Sequence, residues 1–270
     1  MKFWVRRRIS VKASWNKIAR HYQRKTRIST EDFHYGALAP GESKLRLLGD
    51  VKGKEVLELG CGGGQNTIAL SKLGAFAEGI DISPEQINFA RELARTEKVA
   101  ARFHVGSIDH LGIFSDESKD LVVSSFALSY VERLDNVFSE VYRILEKGGA
   151  FLFADAHPLA SRGRSVRVGA KSLWALDQYF KRGAMVWTWP RFENGTTASF
   201  RSYHRTIQDY YDALTKAGFT VERIVEPEPV RMKGTKPVEE TPCYAPAVAK
   251  EYLIWRNVPY TIIFKARKPG

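Results

Sequence analysis

From residue 54 onward, short apolar runs alternate with stretches whose apolar residues recur at helical spacing, and glycines punctuate the joins. Lys54–Leu59 reads as a strand, Gln65–Leu73 as a helix and Phe76–Ile80 as a second strand. Pro84–Thr96 follows as a helix with proline in its first turn, where a missing N–H costs nothing. Ala101–Val105 and Asp120–Ser124 are the third and fourth strands. Asn136–Leu145 is a helix closed by Lys147 and Gly148-Gly149, and Ala150–Ala154 is the fifth strand. This alternation predicts an α/β fold, a doubly wound parallel sheet with helices on both faces.

Two regions depart from the rhythm. Residues 12–25 place Trp15, Ile18, Ala19 and Tyr22 at helical spacing, predicting a basic amphipathic helix with a narrow aromatic stripe. Residues 157–204 are too long for an ordinary crossover, so an inserted lid is expected after the fifth strand. Within it, WTWPRF and ASFRSYH flank an ENGT turn and suit a hairpin. Alternation then resumes with a helix at Thr206–Ala217, a strand at Thr220–Val225, a short helix near Lys250–Trp255 and a last strand at Tyr260–Ala266. The expected division is a basic arm and helix over 1–40, a ligand-binding core over 41–156, a lid over 157–204 and the rest of the same core over 205–270.

Composition narrows the class. The 270 residues are 44% hydrophobic and 12% aromatic, enough for a full core, and this excludes a disordered chain. Two cysteines, Cys61 and Cys243, do not make a disulfide scaffold; with no apolar stretch behind the basic N-terminus to form a secretory signal, a cytoplasmic setting is expected. Apolar runs of about five residues are far too short to span a membrane. The net charge is +12, but it is unevenly placed: residues 1–30 hold ten basic residues and no acidic one, while residues 31–150 are net acidic. A nucleic-acid footprint is therefore confined to the two ends of the chain.

The chemistry concentrates in EVLELGCGGG and the later GIDIS. Gly60, Gly62 and Gly64 permit a sharp turn and close approach of a ligand to the backbone. Asp81, at the end of the second strand, is placed to bind the two hydroxyls of a ribose, so a nucleoside ligand is expected. A dinucleotide fingerprint would need glycine where Gln65 stands, and Glu58 just before the loop would repel a pyrophosphate but suits a cationic amino-acid group.

These residues resemble the class I S-adenosylmethionine-dependent methyltransferases, and the small-molecule branch in particular. HYG at 34–36, SSFALSYV at 124–131, LEKGGAFLFADAHP at 145–158 and HRTIQDYYDALTKAGF at 204–219 extend the likeness over roughly residues 15–268. The resemblance implies a seven-stranded, mostly parallel Rossmann-like sheet with a reversed last strand. It implies S-adenosyl-L-methionine as methyl donor, S-adenosyl-L-homocysteine as product and no metal. Gly60 and Gly62, with Cys61 between them, would lie against the methionine part of the donor, near Glu58. Asp81 would hold the ribose and Ile82 pack on the adenine. Where the family often has Gly-Asp after the third strand, this chain has Gly106-Ser107, so the adenine contact falls to Ser107, Ile108 or Asp109. Tyr35 and Ser124 complete the expected donor side.

The acceptor side is less specified, because methyl transfer needs alignment, exclusion of water and sometimes loss of a proton rather than a protein nucleophile. His157 is the expected general base, its imidazole titrating near working pH; an anchoring role for it stays open. Tyr130 would orient the acceptor, and Tyr22, His34, Trp174, Trp187 and His204 would contact it. Residues 159–205 carry nine basic residues against Asp177 and Glu193, together with three tryptophans, which suits a flat, apolar or aromatic small acceptor that also bears a carboxylate or phosphate. The alternatives are an RNA methyltransferase gripping phosphate with the arm and lid, and a non-enzymatic interaction protein. Against the first, SSFALS stands where amino-methylating nucleic-acid enzymes often carry an NPPY-like run; against the second, the glycine loop and both carboxylates are intact.

Overall fold

The computed structural model describes residues 9–169, 171–189, 192, 194–230, 232–233, 236–237 and 258–270. Residues 1–8 of the basic arm, Cys243 and the helix expected near Lys250–Trp255 lie outside the described residues. The elements are α1 (Val11–Thr26), α2 (Glu42–Leu45), β1 (Glu55–Leu59), α3 (Gln65–Lys72), β2 (Phe76–Asp81), α4 (Pro84–Glu97), β3 (Arg102–Val105), β4 (Lys119–Ser125), α5 (Leu134–Ile144) and β5 (Leu145–Ala156). They continue with α6 (Pro158–Ser161), β6 (Gly163–Val168), β7 (Lys171–Leu176), β8 (Gly183–Thr188), β9 (Ser199–His204), α7 (Ile207–Lys216), β10 (Thr220–Val225), β11 (Met232–Lys233), β12 (Lys236–Pro237) and β13 (Thr261–Arg267).

Seven strands form one sheet in the order β10-β13-β5-β4-β1-β2-β3. β1, β2, β3, β4 and β5 run parallel, while β13 is antiparallel to both β5 and β10. This is the seven-stranded methyltransferase-type architecture that the resemblance implied. The central strands β1, β4, β5 and β13 are buried on both faces, and their successive residues serve opposite cores. Leu57, Leu59, Phe151 and Phe153 face α5 and α7, packing with Phe138, Val141 and Leu214. Val56, Val123, Leu152 and Ala154 face the other way, against Leu70 of α3 and the 33–51 segment with Phe33, Tyr35 and Leu47.

Local chemistry sets the boundaries. Ser83 caps α4 by accepting from the Gln86 N–H, and Thr206 with Asp209 forms a reciprocal capping box on α7. The fifth strand starts earlier than the glycines suggested. α5 stops at Ile144, the chain turns directly into β5, and a register shift against β4 absorbs the Lys147–Gly149 stretch.

The insertion between β5 and α7 consists of α6 and two antiparallel hairpins, β6–β7 and β8–β9. In the second, Trp187 pairs with Phe200 and Thr188 with Ser199. This hairpin meets α1 through a separate apolar cluster of Ile18, Phe192, Ala198 and Phe200, rimmed by Trp15, Tyr22, Tyr130, Trp187 and Trp189. The aromatic stripe of α1 therefore packs against the aromatic strands of the insertion, and together they roof the carboxyl ends of the parallel strands.

Candidate active site

Beneath that roof lies a cavity of about 800 Å³. Its floor is built by the turns leaving β1, β2, β3 and β4, the edge where open α/β sheets bind ligands. After β1 the chain turns at Gly60, Gly62 and Gly64, all with φ between +51° and +81°. Gly60 cannot be replaced cheaply: a Cβ there would lie 2.3 Å from the Ala127 Cβ. Gly60→Ala is expected to lower stability by roughly 2–5 kcal/mol, combining left-handed backbone strain with overpacking, readable as a shifted urea midpoint. A Cβ on Gly62 would meet nothing within 4 Å, so that position opens into space.

Two carboxylates border this loop. Asp81 ends β2 and accepts from the Gly62 N–H at 3.0 Å and the Ser83 N–H at 2.8 Å, which ties the two ligand-facing turns together. Burial pushes its pKa up to about 6, against the lowering effect of those two N–H donors. Glu58 sits at the end of β1, bonded by the Thr67 hydroxyl; burial raises its pKa to about 7. Both line the cavity, with Gly60, Cys61, Ile82, Ser107, Ile108 and Asp109. Nine of the expected donor-side residues are thus brought to one wall. Ser107 donates to the Asp109 carboxylate beside Ile108. The Cys61 thiol is held protonated by burial and by the nearby Asp81 and Glu58 charges.

Two expected donor contacts fall elsewhere. Tyr35 is buried under the sheet, its phenol bonded to Glu42, and it does not line the cavity. Ser124 points the other way along β4 and bonds the Leu59 carbonyl at 3.0 Å; its neighbours Ser125 and Phe126 reach the cavity instead.

The opposite half of the cavity is aromatic. Trp15 of α1 meets Tyr22 at 5.2 Å and Tyr130 at 6.0 Å between ring centroids, and Trp187 of β8 meets Tyr130 at 6.5 Å. Tyr22, His34, Tyr130, Trp187 and His204 all line the space as expected from sequence. Burial holds His34 neutral, with its pKa lowered to about 3, so it contributes no charge. His204 is fixed by the Ser161 hydroxyl and the Tyr179 carbonyl. Trp174 is not at the cavity; its indole donates to the Leu159 carbonyl beside α6.

His157 does not line the cavity either. Its Nδ1 accepts from the Leu159 N–H at 3.1 Å, capping α6, and its Nε2 lies 2.6 Å from Glu226. Both nitrogens are thus engaged away from the cavity, in the positions of an anchor for α6. The expectation of an anionic acceptor also loses its carrier. Of the insertion's basic residues among those described, Arg205 alone lines the cavity, and its guanidinium is committed to the carbonyls of Val131 and Glu132.

Three groups escaped the sequence reading. Gln23 of α1 lies over the glycine loop and links Gln86 at 2.9 Å with Gln65 at 2.6 Å. Its amide occupies the space a Cβ on Gly63 would need. Asp155, one residue before the end of β5, is fully buried and receives the Tyr210 hydroxyl at 3.0 Å, the Ala156 N–H at 2.8 Å and the Ser129 side chain. Burial raises its pKa above the ordinary carboxylate range. Tyr210, on α7, stands on the cavity wall beside Asp155, with the Arg205 charge near its oxygen.

Comparison with known proteins agrees with this geometry. Residues 57–153 match a family described as a methyltransferase domain. An uncharacterised protein of Haemophilus influenzae is 28% identical over 193 residues, 68% of this chain and 74% of its own length. The uncharacterised methyltransferase YbaJ of Bacillus subtilis is 35% identical over 109 residues, 40% of this chain and 43% of its own. A solved structure assigned as an S-adenosylmethionine-dependent methyltransferase of Listeria monocytogenes superposes with a TM-score of 0.64 at 28% identity, covering 83% of this chain and 95% of that one.

Proposed function

Because the chain belongs to the class I S-adenosylmethionine-dependent methyltransferases, we propose that it methylates a small, largely apolar or aromatic acceptor held in the aromatic half of the cavity. The observation that carries this reading is the continuity of one space of about 800 Å³ between the glycine loop with its carboxylates and the tryptophan–tyrosine wall. Pockets of this size suit small ligands, and this one is roofed by α1 and β8–β9 rather than open as a groove for a polymer.

The donor fits the residues present. S-adenosylmethionine, when bound, supplies an electrophilic methyl group on a positively charged sulfur. Asp81 would accept from the ribose hydroxyls, Ile82 and Ile108 would flank the adenine, and the open side of Gly62 would admit the methionine portion without a Cβ in the way. Glu58 would place negative charge toward the donor's cationic end. On the acceptor side, Trp15, Tyr22, Trp187 and Trp189 exclude water and orient a flat molecule, while Tyr130 lines the passage between the two halves.

For an acceptor that must lose a proton, the Tyr210 oxygen would receive it. It would accept the acceptor's proton as its own phenolic proton passes along the 3.0 Å hydrogen bond to the buried Asp155 carboxylate. Tyr210 is the group that would touch the acceptor, and Asp155 acts through it.

The carboxylates give donor binding a pH dependence of known sign. Protonated Glu58 and Asp81 are neutral, attract no cation and accept hydrogen bonds poorly. The ligand selects their ionised forms and binding releases protons, so affinity is lost as pH falls through about 7 and then about 6. Calorimetric titration of S-adenosylhomocysteine, which keeps the ammonium and ribose, is expected to show affinity rising up to about tenfold per pH unit in that window and flattening above it. A flat profile from pH 5 to pH 8 would remove both carboxylates from the donor site.

The reading as a whole is tested by incubating the protein with methyl-labelled donor and panels of phenols, amines, quinols and total RNA. Label entering a small molecule, and disappearing with Asp81→Ala, is the expected result. Label entering RNA and no small molecule would overturn it.

A further inference from the structure

The hairpin β6–β7 turns the wrong face outward for an ordinary surface. Trp174 is bonded to α6 through Leu159, and Gly163 lies under its ring, so Gly163, Ser165 and Trp174 share the face toward the body. By alternation the outer face carries Arg164, Val166, Val168, Leu173 and Ala175. An antiparallel ribbon with one free face normally makes that face polar. Here Val168 is 58% exposed and Leu173 is exposed beside it, followed by Phe180 at 77% in the connection to β8. On β8, Ala184 and Val186 face out while Met185 and Trp187 line the cavity. Interleaved with these are exposed Arg164 on the same face and exposed Lys181 and Arg182 in the connection to β8, the last paired with Asp209, against Asp177 as the one acidic residue described between 162 and 188.

We infer that this outer face docks peripherally on an anionic lipid bilayer. Neither charge nor apolar surface anchors well alone, but basic residues that attract acidic headgroups, set among side chains that enter the interface, supply the two signals stable surface binding needs. A second copy of the chain is a poor occupant: a two-fold contact would bring one basic patch, Arg164 with Lys181, against another. No helix among the described residues is long and apolar enough to cross a membrane, so contact is at the surface. β8 joins the outward face to the cavity within one strand. On the proposed apolar acceptor, this gives a route from bilayer to cavity, although docking itself does not require that acceptor.

The test is co-sedimentation of the full chain with vesicles of phosphatidylcholine alone or containing about one quarter phosphatidylglycerol, at about 0.1 M salt. Binding to the anionic vesicles only is expected, weakening as salt rises. The pair Arg164→Glu with Lys181→Glu, and separately Leu173→Glu with Phe180→Glu, should each reduce it about tenfold or more. Both pairs should retain S-adenosylhomocysteine binding, which separates lost docking from lost folding and from failure of the methyltransferase reading. No partition onto anionic vesicles, or partition that neither pair changes, overturns the proposal.

Discussion

Asp81→Ala is expected to weaken S-adenosylhomocysteine binding by roughly 10²–10³-fold at pH 8, where the wild-type carboxylate is ionised. Two charge-assisted hydrogen bonds to the ribose are lost, together contributing on the order of 3–4 kcal/mol. The same carboxylate holds the Gly62 and Ser83 N–H groups, so the glycine loop also loses its tie to the turn after β2. Leaving those donors without their acceptor should lower stability by about 1–3 kcal/mol. Asp81→Asn separates the two effects. Its amide oxygen can keep one backbone donor, while the charge is gone, so stability should recover more than affinity does. Calorimetry for affinity and urea unfolding for stability check both halves. If Asp81→Ala binds like wild type, the ribose assignment fails, whatever happens to stability.

Tyr210→Phe and Asp155→Asn should each lower kcat by roughly 10²–10⁴-fold on a proton-losing acceptor, with donor affinity unchanged. The readout that distinguishes a proton path from a merely structural role is the pH profile. Burial raises the Asp155 pKa, so the carboxylate takes up a proton above the ordinary range and wild-type kcat should fall on an acid limb displaced upward. Asp155→Asn removes the group responsible, and with it that limb. Tyr210→Phe removes the relay between acceptor and carboxylate but leaves the Asp155 cage of Ala156 N–H and Ser129 intact. A low kcat that keeps the wild-type limb in Asp155→Asn would make Asp155 structural. His157→Ala, by contrast, should cost stability through α6 and Glu226 rather than select against the chemical step.

Why one of these histidine and aspartate neighbours was legible and the other was not follows from strand geometry. DAHP offered both, and the imidazole had the more suitable ordinary pKa. The structure sends Asp155 toward α7, Ala156 to the cavity and His157 back into the cap of α6. The missed signal was a carboxylate inside the apolar strand FLFADA, which must find a buried partner. Ser124 and Ser125 pose the same problem in SSFALS: alternation says that only one reaches the cavity, but the register that chooses is a tertiary fact. Gln23 left no trace at all, because its partners are 42 and 63 residues away along the chain. The core strands were legible because double burial writes itself as short continuous apolar runs; Glu55–Leu59 falls inside the expected Lys54–Leu59. The β6–β7 hairpin was not, since its outward apolar side chains and basic neighbours fit no folding pattern read from one chain alone.

The most direct measurement is a crystal structure of the protein with S-adenosylhomocysteine. The ribose hydroxyls should sit on the Asp81 carboxylate, the adenine between Ile82 and Ile108, and the sulfur should face Tyr130 and the half of the cavity walled by Trp15, Tyr22 and Trp187. The product bound outside this cavity, or with its adenine among the tryptophans and its sulfur turned from Tyr130, would contradict the shared-cavity account.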